Sequence, residues 1–232
     1  MTRLKETTVA ASVVSFLEER GWEVFQEVQL GNSVADIVAV QNKRYWIIEV
    51  KTSLSLDLLA QGHNWLGQAH WVSIAAPEKR SSRKTTRFVR DRLRDWGLGL
   101  LEVSTSGRWS EESDGVARCK EVISARLIRK KWRYLLRDLQ RLRVTLQDEH
   151  KTFALAGTAS GKRWTTWKHT LRSVREAVVE TPGVTLKALI EETHGFHYAN
   201  NASARSSLAH WLKMDRVPGV QMRDGRLYPE KL

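Results

Sequence analysis

The sequence predicts an α/β fold: a mixed sheet flanked by helices, then a mainly helical basic connector, then a small three-helix module ending in a hairpin. Three observations predict it. Helix-period segments and short apolar runs alternate over residues 1–105. Beyond a polar stretch, leucines recur at helical spacing among arginines and lysines. Residues 165–232 carry three helix signals and an Asp-Gly turn between two short strand-like runs.

Val9, Val13, Phe16 and Leu17 recur at helical spacing, and Gly21 stops the helix. Trp22–Val28, Val34–Val40 and Tyr45–Val50 read as strands. The polar Gln41-Asn42-Lys43-Arg44 suits a turn between the last two. Leu54–Gly67 has helical spacing, although Gly62 weakens a helix interior. Trp71–Ala76 is an apolar strand that ends at Pro77. Ser82–Trp96 is a basic helix, and Leu98–Val103 is a further strand.

Ser104–Gly115 (STSGRWSEESDG) is polar and marks a domain boundary. A long helix is predicted over Lys120–Gln147, with Ile128, Leu135, Leu139, Leu142 and Leu146 as one apolar stripe. Arg129, Lys130, Arg137 and Arg141 are among the basic residues on the rest of its surface. They form either a solvated face or a phosphate-facing one. Ala154–Lys168 reads as a loop. Its Gly161-Lys162 invites comparison with a phosphate-binding loop, but Ala156 stands where that motif needs glycine and Arg163 where it needs Ser or Thr.

Leu171–Thr181 is a helix ended by Pro182-Gly183. Thr185 caps a second helix, Leu186–Thr193, and Asn201 or Ser203 opens a third that runs to Met214. Val217–Pro229 is a hairpin with Asp224-Gly225 at its turn. The predicted domains are 1–105, a connector 106–164, and 165–232.

Composition narrows the partners. Lys and Arg number 38 against 26 for Asp and Glu, a formal charge of +12 in 232 residues. Such a surplus attracts polyanions, and nucleic acid is the commonest. Cys119 is the only cysteine, which excludes an intramolecular disulfide and a Cys-based metal site. No apolar run approaches the roughly 18 residues of a membrane span, and the N-terminal MTRLKETTVAASVV has no apolar leader core. The expectation is a cytoplasmic protein with no membrane partner.

The chemistry concentrates in two strands. Side chains alternate along a strand, so Glu49 and Lys51 share a face while Val50 points away. Asp36, on the neighbouring strand, can reach the same spot. Two converging carboxylates make an oxygen site for Mg2+ or Mn2+. The Lys51 ammonium balances their charge and can orient a water or steady a developing negative charge. A divalent ion at such a site suits phosphodiester hydrolysis. The competing reading is a surface salt-bridge cluster.

Residues 6–77 resemble the PD-(D/E)XK nuclease superfamily, which includes restriction endonucleases and Holliday junction resolvases. Asp36 corresponds to the family's acid on the second strand, and Glu49 and Lys51 to the E-x-K of the third. The resemblance implies a restriction-endonuclease-like mixed sheet and a metal-dependent DNA endonuclease. Ala35 replaces the proline of the motif. The family's first-helix acid has Glu6 as its candidate here, whereas Glu18, Glu19 and Glu27 read as solvent-facing. Some branches carry Gln-x-x-x-Tyr on the next helix. Gln61 is followed at that spacing by Trp65.

Residues 165–232 resemble a winged helix-turn-helix. That resemblance implies DNA binding through the third helix, with Asn201, Ser203, Arg205 and His210 facing DNA and Arg223 and Arg226 on the wing. Double-strand cutting with one site per chain would imply a homodimer. The alternative function is a non-catalytic DNA-binding or regulatory protein that retains a nuclease fold.

Overall fold

The structure, a computed structural model, describes residues 4–78, 83–105, 117–127, 139–140, 142–143, 145–158 and 163–230. The chain forms two compact units, Met1–Trp164 and Thr165–Leu232. Among the described residues, no helix is long and apolar enough to cross a membrane.

The first unit is α/β. Helix α1 (Glu6–Glu18) leads into β1 (Glu23–Leu30), β2 (Ser33–Gln41) and β3 (Arg44–Val50). Then come α2 (Leu56–Asn64), β4 (Trp71–Pro77), α3 (Arg83–Trp96), β5 (Gly99–Thr105) and β6 (Ala117–Ile123). The six strands make one mixed sheet in sequence order. β1, β2 and β3 are antiparallel neighbours; β3, β4 and β5 run parallel; β6 returns antiparallel. The parallel connections carry α2 and α3, as crossover connections require.

Both sheet faces are buried. Val9, Val13 and Leu17 of α1 pack on Ile37, Ile48, Val50 and Leu101. Leu58 and Leu59 of α2 and Leu93 of α3 lie in the other core, with Ile47, Ile74 and Leu100. Gly62 does not interrupt α2. It lets the helix approach β4, because a Cβ there would sit 2.6 Å from Ile74 Cγ2. Ser55 caps α2 by accepting a hydrogen bond from the Leu58 N–H.

Two sequence expectations change here. The helix predicted from Lys120 does not begin there, because Ala117–Ile123 is the sixth strand and pairs with β5. The signal was a period of two: Ala117 and Cys119 pack against one core while Arg118 and Lys120 are exposed. Ser104–Gly115 is consequently not a domain boundary, since it joins two strands of one sheet, and the first unit extends to Trp164. Further on, Leu139, Gln140, Leu142, Arg143 and Thr145 are helical, and Leu142 is buried in the core beneath α2. Arg129, Lys130, Arg137 and Arg141 lie outside the described residues.

A segment past a short 3-10 helix (Asp148–Lys151) runs back over β1. The Ala156 N–H donates to Gln26 Oε1 at 2.9 Å, across 130 positions of sequence. Ala156 is fully buried in the core beneath α1.

The second unit orders α4 (Thr166–Glu180), β7 (Val184–Thr185), α5 (Leu186–Glu192), α6 (Asn201–Lys213), β8 (Val220–Arg223) and β9 (Arg226–Pro229). α4 starts earlier than its apolar period suggests, because the Thr165 side chain caps it by accepting from Lys168 N. Thr185 caps α5, and Asn200 caps α6 by accepting from Ser203 N at 2.8 Å. The turn Asp224-Gly225 has positive φ at both residues, 49° and 74°, as a tight two-residue hairpin requires. β7 adds a third strand to the hairpin. Val174, Leu189, Ile190, Leu208 and Leu227 fill the core.

Candidate active site

β2 and β3 pair so that Ile37 faces Ile48, which sets Asp36 opposite Glu49 one step further on. Directly opposed residues of an antiparallel pair share a face. The two carboxyl groups hydrogen-bond each other. Asp36 Oδ2 also accepts from the Val50 N–H at 2.8 Å. Glu49 is only 3% exposed, and the indole N–H of Trp65, just past α2, donates to its Oε1 at 2.6 Å.

Lys51 leaves the end of β3 and continues its pairing, its N–H donating to the Ala75 carbonyl at 3.0 Å. Its Nζ donates to Glu6 Oε1 at 2.9 Å and stands 3.9 Å from Asp36 Oδ2. Glu6 opens α1, so the first turn of that helix delivers a third carboxylate to the ammonium. Sequence reasoning singled out Asp36, Glu49, Lys51 and Glu6, and these four lie in one connected cluster.

The electrostatics follow from burial. Withdrawal from water, then the Asp36 charge beside it, push the Glu49 carboxyl up to about 8, against the pull of Trp65 and Lys51. Burial also raises Asp36, opposed by the Val50 N–H and by Lys51. Of the two, Glu49 is the carboxyl pushed furthest toward its neutral form, with the Asp36 charge beside it. Burial alone would lower Lys51, but Asp36, Glu6 and Glu49 outweigh it and hold the amine above its ordinary value.

Gln61 sits one turn before Trp65 on α2. Its Oε1 is buried without a hydrogen-bond partner among the described residues. Trp65, rather than Gln61, makes the contact with the carboxylate pair. The near match of Trp65 to a tyrosine of the motif was the signal, and its physical content is an indole donor to a buried acid.

Glu27 corrects the sequence reading. It was expected to face solvent, yet it is 5% exposed and has φ 51°. β1 pairs Gln26 with Ile37 and Val28 with Ala35, so Glu27 falls directly opposite Asp36 with the register unbroken, and its left-handed backbone interrupts the alternation of side chains there. Phe25 and Val28, three positions apart, therefore enter the same core. The Glu27 carboxylate accepts from Arg163 Nε at 3.1 Å and from the Gly157 N–H at 3.4 Å. Burial first, then the nearby Asp36 charge, raise it above the ordinary range, while Arg163 and Gly157 restrain it.

Among the described residues, no group of three His, Cys, Asp or Glu side chains is placed to hold a metal ion. The donor set suits a cation that needs fewer protein ligands. Mg2+ is usually held by one or two carboxylates, with waters and substrate phosphates completing its shell. Asp36 and Glu49 are two such carboxylates, opposed on neighbouring strands.

In the second unit, Asn201, Ser203, Arg205 and His210 of α6 are exposed, as are Arg223 and Arg226 on the hairpin. Arg226 Nη1 donates to the Gly183 carbonyl at 3.0 Å, and Arg223 Nη2 to Gln221 Oε1 at 2.8 Å. His197 of this unit serves packing: it hydrogen-bonds Thr170 and lies against Trp167 and Tyr198.

Comparison with known protein families, with curated proteins and with solved structures finds no match to this chain.

Proposed function

We propose that this protein is a metal-dependent DNA endonuclease of the PD-(D/E)XK kind, targeted by a C-terminal winged helix. The observation that carries the reading is the cluster of Asp36, Glu49, Lys51 and Glu6 at one end of a mixed sheet. Two buried carboxylates side by side are costly when both are ionised unless a cation lies between them. The element order helix, three antiparallel strands, helix, parallel strand supports the same reading.

Asp36 and Glu49 would hold the metal. When bound, it polarises a phosphoryl oxygen and lowers the pKa of its water. Trp65 orients Glu49. Lys51, held by Glu6, carries the positive charge that steadies extra negative charge on the transferring phosphate. The second unit supplies affinity: α6 presents donors for phosphates and base edges, and the hairpin presents two arginines.

The test is incubation of plasmid, linear and branched DNA with Mg2+, Mn2+ or EDTA. Cleavage should need the divalent ion and vanish in Asp36→Ala, Glu49→Ala and Lys51→Ala, with DNA affinity kept. Arg205→Ala should weaken binding and flatten its dependence on salt. Full activity in the Glu49→Ala, Lys51→Ala double variant would sink the reading. The small number of metal ligands favours one alternative, a non-catalytic DNA-binding protein with this fold. Salt-dependent DNA binding without cleavage in any metal would establish it.

A further inference from the structure

We propose that Gly157 and Arg163, with the stretch Ala154–Thr158, are part of the catalytic apparatus as positioning residues for the Glu6–Lys51 pair. The inference rests on the nuclease reading. Gly157 lies against the first turn of α1, with φ +78°. A Cβ there would stand 2.8 Å from both the Glu6 carbonyl carbon and Glu6 Cγ, and 3.0 Å from Thr7 N. Such an approach is open only to glycine, and two of the three neighbours are backbone.

Three bonds hold the segment in this place. Ala156 N–H donates to Gln26, Gly157 N–H to Glu27, and Arg163 Nε to Glu27. Gln26 and Glu27 are consecutive residues of β1, and in the strand register Glu27 lies opposite Asp36. Ala156, Gly157 and Arg163 thus clamp the strand beside Asp36, and Gly157 lies against the helix turn that carries Glu6. Glu6 in turn holds Lys51 at 2.9 Å. The clamp fixes where Lys51 stands relative to Asp36 without itself touching either.

Positioning of this kind acts on rate more than on DNA affinity. A displacement of about 1 Å can cost on the order of 100-fold in a catalysed step. The full chain and its Gly157→Ala, Arg163→Ala and Arg163→Lys variants are compared by three measurements. These are single-turnover cleavage at saturating DNA, binding of Mn2+ to the DNA-free protein by electron paramagnetic resonance, and melting in EDTA. Gly157→Ala and Arg163→Ala should cleave about 10- to 100-fold more slowly and bind Mn2+ more weakly. Their DNA affinity should be unchanged, and Arg163→Lys should recover most of the rate. Wild-type cleavage and Mn2+ binding in both variants would overturn the inference. So would losses that disappear when each variant is assayed well below its own melting temperature. If the unaltered protein cuts no DNA but Mn2+ binding still falls in the variants, the nuclease reading fails and the clamp stands.

Discussion

Replacing Glu49 with Gln should make the metal-free protein more stable at neutral pH. The glutamate is buried, hydrogen-bonded to Asp36, and its carboxyl is pushed from 4.5 up to about 8. Because the folded value lies above the unfolded one, the stabilisation from keeping Glu49 neutral is complete below pH 4.5. It is lost as pH rises to 8. Each pH unit inside that window costs about 1.4 kcal/mol, so the fall between pH 5 and pH 7 is about 2–3 kcal/mol. Asp36 is also raised and adds to the slope with the same sign. Glutamine keeps an oxygen to accept the Trp65 N–H and removes the titration. Urea unfolding in EDTA at pH 5, 6, 7 and 8 should show a steep fall for the unaltered protein and a flatter line for Glu49→Gln. The lines should separate with rising pH, the variant being the more stable at pH 7 and above. Added Mn2+ should recover stability in the unaltered protein and not in the variant. Parallel lines across the four pH values would refute the raised Glu49 carboxyl, and with it the case for a cation site at this pair.

Trp65→Phe keeps the ring and deletes the donor to Glu49 Oε1. It should cost about 1–3 kcal/mol in urea unfolding and move the pH dependence of stability further upward. Gly62→Ala should destabilise by about 1–3 kcal/mol, because the new methyl meets Ile74 Cγ2 at 2.6 Å. An exposed helix would gain stability from the same change, so a rise in melting temperature would show that α2 does not press on β4.

Much of the fold was legible because the sheet is built from strong local signals. β2, β3 and β4 are apolar runs between polar turns, and α1 carries a clean helical period. β6 was not legible as a strand. Its alternation is carried by Ala117 and Cys119, small residues that bury little area, and the leucine stripe downstream invited a helix to be extended back over it. The start of α4 was hidden for a different reason. A threonine cap and the partly buried Trp167 set it, and neither belongs to the apolar stripe that begins at Leu171.

The site shows the same division between local and distant causes. Asp36, Glu49 and Lys51 could be placed together because strand alternation and one hairpin fix their geometry within sixteen residues of chain. Glu6 could be named only as a candidate, since nothing local says that its helix turn meets the end of β3. Glu27 was misplaced by assuming unbroken alternation. Yet its sequence neighbours held the correction: Phe25 and Val28 are both large, apolar and three apart, which an unbroken strand cannot bury on one face. A left-handed backbone at Glu27 resolves that conflict without shifting the strand register. Here the inward side chain is a carboxylate opposite Asp36, and both Arg163, which pairs with its charge, and the Gly157 N–H, which donates to it, come from over 100 residues away. A break in strand phase beside a buried acid is therefore a signal in its own right. It points to a charged side chain turned inward, and so to a distant cation that the fold must bring to meet it.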